Sequence, residues 1–267
     1  MWGCSDTGGS QMQALTVAPP HLKAVFPMSC EFDVYPFGVP GGMSAGSGDT
    51  KAPPMSSSSA LRDATAQAVD GDTGGAQLRA AVAEHANNVE NAGYVPFRDS
   101  MATNIKEVWW AKSRPHTYLD TIKKSGIAVY AAANWDEAAT KYGAFFTVNN
   151  LDNPRKLSVG PSTHCAWFSV EKDLGFDITV EERRFFDHWL KGVDNGVMRE
   201  PMVYYYTYNE AKGKEWRSSE QWPLPNEKRT AYYLGAKSLG TSKPTEASAK
   251  DDAQVEYAVS MGTTSTT

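Results

Sequence analysis

Three short stretches of this chain put a nucleophile, an acid and a base in an order that acyl chemistry can use. Gly3-Cys4-Ser5-Asp6-Thr7-Gly8 brackets a serine with small residues, and Gln11, Met12, Ala14 and Leu15 follow at helical spacing. A serine on a tight strand-to-helix turn has its hydroxyl pushed clear of the sheet. The backbone there faces a helix N-terminus, where orphan amides and the helix dipole favour a developing oxyanion. Glycines suit such a turn because a side chain at those places would meet the neighbouring strand or helix. Further on, Trp135-Asp136 follows one apolar run and Gly160-Pro161-Ser162-Thr163-His164 follows another. A serine hydroxyl needs a base to take its proton, and a histidine base needs an acid to fix its tautomer and balance its charge.

The usual elbow reads Gly-x-Ser-x-Gly; here the fifth residue is Thr7 and the second glycine comes one place later, at Gly8. Taken alone, that string also fits a surface turn. The order of the three stretches, serine then acid then histidine, is the order of an α/β-hydrolase triad, and this raises the string above a turn.

The elements that would position these residues are legible as periodic runs. Residues 9–20 read as the helix after the elbow, stopped by Pro19-Pro20. Leu22–Met28, Ile127–Ala131 and Arg155–Val159 read as strands of a parallel sheet buried on both faces. Val180–Lys191 reads as an amphipathic helix with Gly192 as its stop, and His188 within it as structural. From Ser44 the composition turns to Gly, Ser, Ala, Thr and Asp, with short helices expected at Ala60–Val69 and Gly75–Val89. Asp72 or Thr73 would cap the second, and His85 would lie on its surface. After Asn195-Gly196 the period becomes two. Met202–Tyr208, Glu215–Arg217, Thr230–Leu234 and Gln254–Val259 read as strands of a separate all-β domain. The divisions expected are 1–43 and 94–197 for the two parts of an α/β core, 44–93 for a helical insertion, and 198–267 for the β domain.

The net charge of -5 excludes nucleic acid as the principal partner, and no apolar run approaches the length that spans a bilayer. No charged and apolar leader of the secretory kind is visible, and the compartment is left open. Only Met1 and Trp2 precede the elbow, so the strands that build up to it in a hydrolase sheet are expected outside this chain. The three cysteines, Cys4, Cys30 and Cys165, have no metal spacing. Cys4 and Cys165 are expected to pack as small buried side chains, with a Cys30–Cys165 bridge as the alternative. Aromatic residues that could line an apolar substrate pocket are Phe32, Tyr35, Trp109, Trp110 and Trp135, with core packing as their other reading.

On these motifs the chain resembles the serine hydrolases that include bacterial cocaine esterase, α-amino-acid ester hydrolases and X-prolyl dipeptidyl peptidases. Their elbow reads Gly-x-Ser-Tyr-x-Gly, matched from Gly3 to Gly8 with Asp6 in place of tyrosine. Their acid sits in a Gly-Trp-Tyr-Asp type motif, matched by Asn134-Trp135-Asp136, and their histidine follows Gly-Pro-Trp-x-His, matched from Gly160 to His164. Phe186–Gly192 is similar to the helix that precedes their C-terminal domain. The resemblance implies an α/β-hydrolase core, here with an incomplete sheet, a helical cap insertion and a jelly-roll-like C-terminal domain. It implies acyl transfer to water with Ser5 as nucleophile, His164 as base and Asp136 as orienting acid. The backbone amide of Asp6 would be one oxyanion donor, and a tyrosine from before the elbow supplies a second in the family. No metal or organic cofactor is needed. The expected substrate is a small-molecule or polymeric ester; an X-prolyl peptide or amide, with Glu31, Asp33 and Asp6 as candidate ammonium-binding acids, is the alternative. A silent fragment serving assembly is a third reading, and association of protomers through strand edges a further expectation.

Overall fold

In the computed structural model the described residues are 1–38, 63, 65–85, 98, 99, 101, 102, 106–137, 140–167, 175–235 and 238–243. The chain divides into two compact units, Met1–Glu220 and Gln221–Thr267.

The first unit is built on β1 (Trp2–Cys4), which feeds directly into helix α1 (Asp6–Val17), and on β2 (Ala24–Met28). A short helix α2 (Val34–Gly38) follows. Helix α3 (Ala76–His85) lies in the stretch expected as an insertion. Its start is held as expected: the Asp72 carboxylate accepts hydrogen bonds from the amides of Gln77 and Leu78 at 3.1 and 2.9 Å. These bonds hold the Asp72 carboxyl below the usual carboxylate range. His85 pairs with Asp63 on the exposed side of that helix. Most of the stretch 44–93 lies outside the described residues; of the helix expected at Ala60–Val69, residues 63 and 65 are helical, residues 66–69 are not, and the others lie outside the described residues. A small antiparallel pair, β3 (Met101–Ala102) and β4 (Glu107–Val108), precedes helices α4 (Trp109–Ser113) and α5 (Leu119–Ser125). Then come β5 (Ala128–Asn134), α6 (Thr140–Asn150), β6 (Arg155–Gly160), α7 (Ile178–Lys191), β7 (Val203–Tyr206) and β8 (Trp216–Ser219).

These strands form a six-stranded sheet in the order β1-β2-β5-β6-β7-β8, parallel except for the antiparallel β7–β8 pair. Every residue of β2 and β5 is buried, as expected of parallel strands covered on both faces. The alternation along them separates two cores. Ala24, Phe26, Met28, Ala128, Tyr130 and Ala132 face one side, where Ile178 and Phe185 of α7 pack. Val25 and Val129 face the other, with Met12 and Leu15 of α1 and Ile122 of α5. Asp177 caps α7 by accepting from the amides of Thr179 and Val180, and Gly192 ends it in the left-handed conformation at φ 69°.

Met202–Tyr208 and Glu215–Arg217, expected to open a separate β domain, instead supply the last two strands of this sheet. Val203 pairs with Leu157 of β6, and Tyr204 stacks on Trp216 at 4.9 Å between ring centroids. Their period of two is shared by any strand with one face on a core, so periodicity alone did not tell a new sheet from the edge of the old one. Within the second unit, β9 (Tyr233–Gly235) and β10 (Ser238–Gly240) form an antiparallel hairpin. The strand expected at Gln254–Val259 lies outside the described residues. Among the described residues, no helix is long and apolar enough to cross a membrane.

One close approach fixes α6 against the sheet. A methyl group on Gly143 would fall on the Cys30 carbonyl oxygen and lie 2.9 Å from the Glu31 Cα, both backbone atoms that cannot turn aside. Gly143→Ala is therefore expected to destabilise the fold by about 2–3 kcal/mol, read as a lower denaturation midpoint at unchanged m-value.

Candidate active site

Ser5 sits at the junction of β1 and α1, where the residue types leave little freedom. Its backbone is at φ 58° and ψ -124°, a strained conformation for a residue with a side chain, and its amide donates to the Met28 carbonyl at 3.0 Å. The glycines on either side meet the expectation. A methyl on Gly8 would sit 2.7 Å from the Met28 carbonyl oxygen, and one on Gly3 would overlap Thr7. The Asp6 amide is among the α1 amides that no helical carbonyl can satisfy. Its side chain is exposed.

His164 lies on the loop after β6, at the C-terminal edge of the sheet, where open α/β folds gather their chemistry. That loop is tied to the end of β5. The Asn134 side chain donates to the Thr163 carbonyl and accepts from the Ser162 amide, and the Asp136 amide donates to the Ser162 carbonyl.

The carboxylate facing His164 belongs to Glu137, which corrects the expectation of Asp136. Glu137 Oε2 lies 3.5 Å from His164 Nδ1, and its side chain is fully buried. Its Oε1 accepts from Ser29 Oγ at 2.5 Å and from the Asn134 amide at 2.6 Å, and its Oε2 from Thr140 Oγ1 at 2.7 Å. An ionised carboxylate only accepts, so the Thr140 proton points to Glu137. The Thr140 oxygen, 3.3 Å from His164 Nδ1, is then left to accept from the ring. This hydrogen-bond logic assigns the proton to Nδ1 and leaves Nε2 as the basic nitrogen.

Asp136 is exposed and takes part in another contact. Its carboxylate accepts from the Tyr208 hydroxyl at 3.0 Å, a proton shared with the Pro161 carbonyl at 2.6 Å. Burial, the hydrogen bond to Asp136 and the Asp136 charge push the Tyr208 phenol well up. A sequence signal for Glu137 existed. Counted from the tryptophan of Gly-Trp-Tyr-Asp, the acid falls two places on, and two places after Trp135 is Glu137.

The cysteines also differ from expectation. Cys4 and Cys165 form a disulfide, with Cα atoms 5.8 Å apart and a sequence separation of 161. Cys30 is the free thiol, and burial followed by the Glu31 and Glu137 charges raises its pKa far above the usual range. Nothing in the spacing announces the pair, because the sheet alone brings its two ends together.

Of the aromatic pocket candidates, Phe32 is 2% exposed and packs in the core cluster that holds Met12 and Leu15. Tyr35 and Trp110 meet edge to face at 5.4 Å, and Trp109 begins α4 half-buried. Trp135 stacks on Phe145 and donates from its indole to the Tyr206 carbonyl, which braces the turn that carries Glu137. Asp33 is engaged with Arg98 and Arg114.

Glu31 follows β2, half-buried. Its carboxyl is raised by burial first and then by repulsion from Asp6 and Glu137, with His164 acting the other way. An acid whose folded pKa is raised favours folding when protonated, and that contribution is lost as pH rises through the folded value. Glu31→Gln is thus expected to raise the melting temperature at pH 7, with the advantage vanishing below about pH 4, where the wild-type carboxyl is also neutral. Thermal melts of both proteins across that range check it.

Comparisons with known proteins bear on the family and the fold. Residues 1–166 match the model of the X-Pro dipeptidyl-peptidase (S15) family, and residues 195–265 that of the X-Pro dipeptidyl-peptidase C-terminal non-catalytic domain. The second match begins before β7, whose pairing lies with the first unit's sheet. A protein named as a serine esterase in Mycobacterium bovis is 29% identical over 154 residues, 55% of this chain and 24% of that protein. One named as an Xaa-Pro dipeptidyl-peptidase in Bacillus anthracis is 25% identical over 119 residues, 44% of this chain and 18% of that protein. The matches thus span about a quarter or less of the length of these curated relatives. The crystal structure of a CocE/NonD family hydrolase from Staphylococcus aureus superposes with a TM-score of 0.60 at 22% identity, covering 90% of this chain and 37% of that one. That likeness concerns the fold, an α/β-hydrolase sheet with helices on both faces. With its family model matched over residues 1–166, this chain belongs to the X-Pro dipeptidyl-peptidase (S15) family.

Proposed function

We propose that the chain carries a serine hydrolase site that cleaves carboxylic esters through an acyl-enzyme, with Ser5 as nucleophile, His164 as base and Glu137 as the orienting acid. The observation that carries this reading is the buried, fully hydrogen-bonded Glu137 carboxylate set against Nδ1 of a histidine whose loop is bonded beside the elbow serine. Ser5 Oγ adds to the ester carbonyl carbon while its proton passes to His164 Nε2. The oxyanion forms at the start of α1, where the Asp6 amide donates. Collapse expels the alcohol, which takes the proton from His164. Water then attacks the acyl-enzyme with its proton passing to the same nitrogen, and the acid leaves as Ser5 is restored. The bond between Tyr208 and Asp136 braces the two loops on either side of this chemistry.

Glu31 supports a second reading. A carboxylate close enough to Asp6 and His164 to feel their charges adds to a negative field beside the serine, which suits a substrate with a free ammonium group, such as an X-prolyl peptide or an amino-acid ester. The C-terminal unit is read as a jelly-roll-like module. Small-molecule or polymeric esters, and association between protomers, complete the proposal.

The test is labelling with a fluorophosphonate probe and location of the adduct by mass spectrometry. Stoichiometric adduct at Ser5 supports the triad, and no adduct in a folded, monodisperse sample sinks it in favour of a silent assembly role. Ester and X-prolyl anilide panels then separate the two substrate classes.

A further inference from the structure

We propose that the Cys4–Cys165 disulfide is a positioning link that makes the hydrolytic site redox-sensitive: closed, it holds the serine and the histidine in register; opened by a dithiol, it lets them part. The proposal rests on Ser5, His164 and Glu137 being the triad.

The bond joins the residue just before Ser5 to the residue just after His164. The hydrogen bonds from Asn134, the Asp136 amide and Tyr208 all engage Pro161, Ser162 and Thr163, the residues that precede His164, and they run to the β5 side or to Tyr208. The disulfide acts from the other side of His164 and runs to the strand that carries the nucleophile. It is a covalent tie between the two halves of the proton-transfer pair. Cys165 is held at φ 59°, a left-handed conformation that a residue with a side chain keeps only when its surroundings impose it. With the bond broken, that residue is free to return to an ordinary conformation and carry His164 with it. Glu137 would stay in place, since its partners Ser29, Asn134 and Thr140 lie on β2, β5 and α6 or beside them. Reduction therefore acts on the distance between base and nucleophile and leaves the acid set.

Both bonded cysteines are partly exposed, so a thiolate can reach them, whereas Cys30 is buried and its raised pKa keeps it a thiol. One thiolate of the dithiol attacks a sulfur of the bond and forms a mixed disulfide, and the other sulfur leaves as a thiolate and takes up a proton. The second thiol of the reductant then displaces the remaining cysteine. Two electrons and two protons pass to Cys4 and Cys165, and the reductant becomes the disulfide. Reoxidation returns the same pair.

The experiment follows fluorophosphonate labelling of Ser5 in the oxidised chain, after dithiothreitol with thiols counted by mass spectrometry, and after reoxidation. Hydrogen exchange of Pro161–Trp167 is followed in parallel, with circular dichroism at the assay temperature. The expected result is labelling at least tenfold slower on reduction, with the loss in the maximal rate constant rather than in probe affinity. Exchange should quicken in the histidine loop but not in β5, and full rate should return on reoxidation. The C4S/C165S double variant should label at the reduced rate and ignore the dithiol. Labelling within twofold in both redox states would overturn the proposal while leaving the hydrolase reading intact. So would a loss of rate that tracks loss of the dichroic signal, because the bond would then be a general staple. No labelling in either state would remove the hydrolase reading and the switch with it.

Discussion

Replacing Ser5 by alanine is expected to lower ester turnover by on the order of 10⁴–10⁶-fold and to abolish fluorophosphonate labelling, with little change in melting temperature. The activity loss follows from the role of the hydroxyl, since an alanine leaves His164 no oxygen to activate. The small effect on stability follows from the structure. The elbow at φ 58° is no harder for alanine than for serine, and the bonds that hold it use the Ser5 amide and carbonyl, to Met28 and Gly9, not its side chain. Steady-state hydrolysis of an activated ester beside a thermal melt checks both halves. Retention of more than about one part in a hundred of wild-type turnover would exclude Ser5 as the nucleophile.

Glu137→Gln is expected to cost roughly 10³–10⁴-fold in turnover, and Asp136→Asn less than about tenfold. The structure gives the reason for the contrast. Glu137 accepts from Ser29, Asn134 and Thr140, all donors, so a glutamine amide must face at least one of them with its own N–H groups. If it faces Thr140, the threonine hydroxyl turns its proton toward His164 Nδ1. The ring then carries its own proton on Nε2, the wrong tautomer for a base. The negative charge that would balance the imidazolium is lost as well. Asp136→Asn removes only a negative charge: the asparagine carbonyl oxygen still accepts from the Tyr208 hydroxyl, which also keeps the Pro161 carbonyl, and without the charge the phenol should titrate closer to its ordinary range. Comparing pH–rate profiles of the two variants with the wild type separates the roles. Equal losses, or a larger one at Asp136, would return the acid to Asp136.

The amino-acid sequence determined the parts of this protein that depend on neighbours in the chain. The elbow was legible from its string of small residues around Ser5: Gly3 is required by Thr7, four residues on, although Gly8 is required by Met28 and Cys30 on and beyond the neighbouring strand. The Asp72 cap and the stop of α7 at Gly192 rest on contacts a few residues long. The buried strands β2 and β5 were legible because parallel strands covered on both faces favour near-continuous apolar runs. Four matters were decided only by tertiary structure. Whether Phe32 lines a pocket or a core depends on what α1 packs against. Whether Val203–Tyr206 starts a new sheet or extends the old one depends on the free edge of β6, since period two reads the same in both. The directions of the Asp136 and Glu137 side chains turned on one residue of turn geometry, which sends the first to Tyr208 and solvent and the second inward to Ser29, Thr140 and His164. The pairing of Cys4 with Cys165 across 161 residues depends on the parallel sheet, which brings the C-terminal ends of β1 and β6 to one edge. Local spacing specifies what each residue is able to do; only the assembled sheet sets which of them meet.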